Sequence, residues 1–106
     1  MIVTTGNEVA GRPIAQYLGV VRGIVVRSPT ILQGLKGSLR QFLGGNIESY
    51  VEVCDAARQH AYDLLVEHAR TLGADAVIGM RFDATEFSQA TTEVLAYGTA
   101  VKLAAA

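Results

Sequence analysis

Cys54, His60 and His68 are the soft metal ligands of this chain, and their spacing decides what chemistry they can share. All three fall in the stretch from Ser49 to Leu72, whose apolar residues recur with helical period. Six residues apart, Cys54 and His60 lie on different faces of that helix. Cys54 and His68 share a face, but at the rise of an α-helix they stand about 21 Å apart, and His60 and His68 about 12 Å. One chain therefore offers no bidentate pair among them. With a single cysteine, neither a four-thiolate zinc site nor an intrachain disulfide can form. A divalent or heavy metal needs symmetric copies of Cys54, His60 or His68 to converge, or an acidic pair such as Glu48 and Glu52 to help. The plainer reading is that Cys54 is a buried or partly buried packing residue on the apolar helix face.

A second constellation surrounds the Gly44-Gly45-Asn46 link. Its amides could face an anion or small ligand near the start of the long helix, with Arg40 one turn upstream adding positive charge and Tyr50 a hydroxyl. The pattern lacks both the GxxxxGK[ST] spacing and a preceding strand, so a helix–helix turn is the simpler reading, and Tyr50 is more simply a packing residue. Arg81 and Asp83 share one strand face and read as a solvent-facing or intersubunit ion pair, or as a binding patch. Glu67 and Arg70 read as a helix surface pair. Ser28, Ser38, Ser49 and Ser88 have no nucleophile-elbow surroundings, so no catalytic residue is assigned.

Composition narrows the partners. The chain has 106 residues, enough for a single domain over 1–106. Half of them are apolar and only 18% are charged, below the usual charged share of a soluble domain. Some apolar surface is therefore expected to meet a partner, and oligomerisation would supplement a small core. Nine basic and ten acidic side chains give a net charge of −1 with no basic block or stripe, which argues against nucleic acid. No segment reaches the length needed to cross a bilayer, and the start Met1-Ile2-Val3-Thr4-Thr5 has no basic run before a long apolar one. The expectation is a cytoplasmic protein away from membranes.

The elements that must position these residues follow from periodicity. Ile2 to Thr5 reads as a short strand before a Gly6-Asn7 turn, and Arg12-Pro13 discourages helix in the connector, which ends near Leu18-Gly19. Val20 to Arg27 reads as a strand with Val20, Ile24 and Val26 on one face and Val21, Gly23 and Val25 on the other. Apolar residues on both faces imply two covers, helices on one side and another subunit on the other. Thr30 to Gln33 has capping-box spacing before a first helix with Leu32, Leu35, Leu39 and Phe42 on one face, ended by Gly44-Gly45. Ser49 to Glu52 offers a second capping box, with Asn46 an alternative cap one turn earlier. The long helix then turns Tyr50, Cys54, Ala57, Ala61, Leu64 or Leu65, His68 and Leu72 to the sheet and stops at Gly73. Ala76 to Thr85 reads as a strand with Ile78, Met80 and Phe82 facing the core, Glu86 to Ala90 as a polar loop, and Thr92 to Leu103 as the last strand. On that strand Val94, Ala96, Gly98 and Ala100 make a smooth face, and Leu95, Tyr97, Val101 and Leu103 a bulkier one.

Several of these residues carry a resemblance. Leu18-Gly19-Val20-Val21-Arg22-Gly23, Ser38-Leu39-Arg40, Gly44-Gly45, Tyr50, Ala57-Arg58, Ala69, Leu72-Gly73-Ala74-Asp75-Ala76-Val77-Ile78-Gly79 and Tyr97-Gly98-Thr99-Ala100-Val101 closely resemble the YbjQ family, also called UPF0145 or DUF74 and labelled heavy-metal-binding. The likeness runs in order over almost the whole chain. It implies an α+β fold like a dodecin subunit, with an antiparallel sheet packed against two helices and assembly as a ring oligomer, a pentamer or a dimer of pentamers. It brings no catalytic residues. The family's Gly-Ala-Asn-Ala turn has Asp75 at its third position here, which removes a side-chain amide donor from that turn.

The leading functional expectation is an uncharacterised, non-enzymatic oligomeric protein that binds a metal ion or small ligand at a subunit boundary. The alternative is an enzyme with an intersubunit small-molecule pocket.

Overall fold

The structure is a computed structural model that describes residues 1–27, 47–88 and 91–105. Within them the chain forms β1 (Ile2–Val3), β2 (Ile14–Arg27), α1 (Ile47–Thr71), β3 (Ala76–Ser88) and β4 (Thr91–Leu103). The strands make one sheet in the order β1-β3-β4-β2. Both β2 and β3 run antiparallel to β4, but β1 runs parallel to β3, with Ile2 opposite Ala76 and Val3 opposite Val77.

That edge corrects the dodecin-subunit-like plan expected from the resemblance. The sheet is mixed rather than antiparallel, and among the described residues a single helix packs on it rather than two. The ring belongs to the dodecin-like subunit shape and falls with it. A parallel pair cannot be closed by a hairpin and needs a long crossover, here the whole course of β2 and α1 between β1 and β3. Backbone bonds carry the parallel edge past β1: Thr4 N–H donates to the Val77 carbonyl at 3.0 Å, Met80 N–H to Thr4 at 3.0 Å, and Gly79 N–H to Gly6 at 2.7 Å. The helix expected after Thr30 lies outside the described residues.

α1 packs by a stripe of small residues. Ala57, Ala61, Leu65 and Ala69 recur every four positions and are buried, as the helical period requires of a face turned to a sheet. Opposite them stand Val21, Val25, Val77, Met80, Val94, Ala96 and Ala100 in one core. Gly23 makes the close approach possible, since a Cβ there would overlap the Ala61 carbonyl oxygen and come within 2.6 Å of the Leu65 nitrogen. The helix begins at Ile47, two residues before the start expected at Ser49. Its end follows the sequence reading: Gly73 has φ +74°, Ala74 N–H donates to the Ala69 carbonyl and Gly73 N–H to Arg70, the paired bonds of a Schellman stop.

The strands are longer than their alternation predicts. β2 starts at Ile14, directly after Pro13, rather than at Val20. Register shifts between Ile14 and Gln16 and between Tyr17 and Gly19 break its period while leaving it in the sheet. β3 runs to Ser88, because polar residues still pair across the hairpin, Glu86 with Thr92 and Ser88 with Thr91.

A bulge between Ile78 and Arg81, where Gly79 takes φ +60°, reverses the facing of β3. Val77 and Met80 therefore both enter the helix-side core. Ile78 joins Ala76, Val101 and Leu103 on the other side of the sheet, under Val9 and Ile14. The expected grouping of Ile78 with Met80 is thus corrected: an inserted residue shifts the two-residue period by one. Phe82, also expected in the core, is 42% exposed.

Candidate functional site

The residues singled out for metal do not meet. Cys54 and His60 are exposed on α1, which corrects the reading of Cys54 as a buried packing residue: the helix stripe turns Ala57 and Ala61, not Cys54, to the sheet. His68 is half-buried and already engaged, its Nδ1 accepting the backbone N–H of Arg22 at 3.2 Å. The neutral ring in this bond carries its proton on Nε2. Among the described residues there is no group of three or more His, Cys, Asp or Glu side chains able to hold a metal ion. Arg40, Gly44 and Gly45 lie outside the described residues, and of Tyr50 only the backbone, within α1, is described.

Arg81 and Asp83 are both exposed, but each is occupied by backbone. Arg81 Nη1 donates to the carbonyls of Thr5 and Met80, both at 2.8 Å, and so clamps the N-terminal segment to the bulged part of β3. Asp83 Oδ1 accepts the Ala84 N–H at 2.9 Å. Asp75, the departure from the family turn, acts as an acceptor: its Oδ2 takes the Leu103 N–H at 2.9 Å while its own N–H donates to the Val101 carbonyl. An amide oxygen would serve the same bond, so the substitution leaves this role intact.

Two open hollows have the makings of contact surfaces. One lies on the helix side, where the Arg58 guanidinium sits 5.9 Å from the centre of the Phe82 ring, within cation–π range, beside Asp55, Gln59 and Tyr62. The other is a shallow concavity of about 360 Å³ on the sheet face away from α1. Its floor is apolar: Val20 is 71% exposed, Ile24 41% and Tyr97 37%, with Leu95 half-buried between them. Val26, half exposed, continues the patch along β2. Charges border it, Arg22 on β2 and Asp83 and Glu93 on β3 and β4. The alternation of Val20, Ile24 and Val26 signalled this face in the sequence, whereas the charged border depended on the register of β3 against β4 and had no local signal.

Comparison with known proteins decides the kinship. The family profile described as "Putative heavy-metal-binding", that of the YbjQ family, matches residues 1–104. The chain belongs to this family. A UPF0145 protein of Legionella pneumophila is 57% identical over 101 residues, covering 95% of this chain and 96% of that protein. A UPF0145 protein of Chromobacterium violaceum is 52% identical, covering 96% of this chain and 87% of its own length. A crystal structure of a DUF74-family protein of unknown function from Pediococcus pentosaceus superposes with a TM-score of 0.62 at 20% identity and covers 98% of each chain. That likeness speaks for the YbjQ fold alone. The family's function is uncharacterised, its label is heavy-metal binding, and no helix among the described residues is long and apolar enough to cross a membrane.

Proposed function

We propose that this YbjQ protein is a non-enzymatic homo-oligomer in which any metal ion or small ligand is held where copies meet rather than inside one chain. The observation that carries this reading is the exposed apolar row of Val20, Ile24 and Val26 beside Leu95 and Tyr97 on the sheet face opposite α1. Isolated apolar residues on a surface need no explanation, but a contiguous patch with a charged border is the pattern of a protein contact. The scattered positions of Cys54, His60 and His68 support the second half of the reading, because only symmetry could multiply one such ligand into a set. The family resemblance makes a pentamer or a dimer of pentamers the stoichiometry to look for. A cytoplasmic location suits the single, exposed Cys54 thiol, which a reducing compartment keeps free. Sedimentation equilibrium tests the assembly: the account expects a mass several times 11.3 kDa at micromolar concentration, and a monomer there contradicts it.

A further inference from the structure

We draw no further inference here: the strongest candidate, the open hollow of about 610 Å³ lined by the loop from Asn7 to Ile14 and by Tyr17, where the buried Arg12 Nε has no hydrogen-bond partner among the described residues, names no ligand, because the Glu8 carboxylate, an acceptor within the chain, lines the same hollow and would repel an anion.

Discussion

His68 on α1 and Arg22 on β2 are joined across 46 residues by a hydrogen bond from the Arg22 amide to the imidazole Nδ1, 3.2 Å long. β2 is an edge strand, and edge amides without partners invite pairing with other chains. The imidazole closes one of these positions from the helix side and leaves the opposite face of β2 free for contact. Replacing His68 with Phe keeps a ring but removes the acceptor. The expected cost is about 1 kcal/mol, the net value of one partly solvated hydrogen bond. Urea denaturation measures it as a lower midpoint at constant slope, and an unchanged midpoint would show that water replaces the imidazole without loss.

Gly23 governs how closely α1 sits on the sheet. Its missing Cβ leaves the space that the Ala61 carbonyl occupies, and the Leu64 Cβ would lie 2.8 Å from a side chain there. Backbone cannot yield as a flexible side chain can, so Gly23→Ala should cost about 2–3 kcal/mol by forcing the helix outward. The same change at Gly19, with open space around its Cβ position but φ +112°, should cost about 1 kcal/mol through backbone strain alone. Thermal denaturation of the two variants should rank them in that order, and the reverse order would show that the helix is not seated on Gly23.

Metal binding by the intact protein follows from the ligand positions. Zn²⁺ titrated by calorimetry into the untagged protein in a non-chelating buffer should bind weakly, with no fixed fraction of metal per chain, and Cys54→Ser should behave alike. Tight, stoichiometric binding lost in Cys54→Ser would reveal copies of that exposed thiol converging by symmetry. Tight binding that survives Cys54→Ser but disappears in His60→Ala would point instead to an imidazole site.

The sequence was most readable where one period ran uninterrupted. The existence of the long helix and its stop at Gly73, the alternation of β2 beyond Val20 and the two textures of β4 all appear in the structure, although the helix starts at Ile47 and Leu72, expected to face the sheet, is 42% exposed. Spacing alone does not choose between Leu64 and Leu65. Contact with the sheet decides it, leaving Leu65 fully buried and Leu64 39% exposed. Facing on β3 is not legible because a bulge at Gly79 has no pattern of its own until its neighbour is known, and neither is the parallel edge, because two residues carry no directional signal. Periodicity turns Cys54 inward because a helical stripe about 100° wide admits neighbours at its margin, whereas the close-packed alanines make the buried stripe narrower. The sheet-face patch was half legible: its valines alternate in the chain, but Asp83 and Glu93 join Arg22 only through strand pairing.

Self-association underlies the proposed role, and native mass spectrometry of the untagged protein at micromolar concentration measures it. The expected result is a dominant species whose mass is an integral multiple of 11.3 kDa, five or ten chains by the family resemblance. A dominant monomer across that concentration range, at low salt, would contradict it.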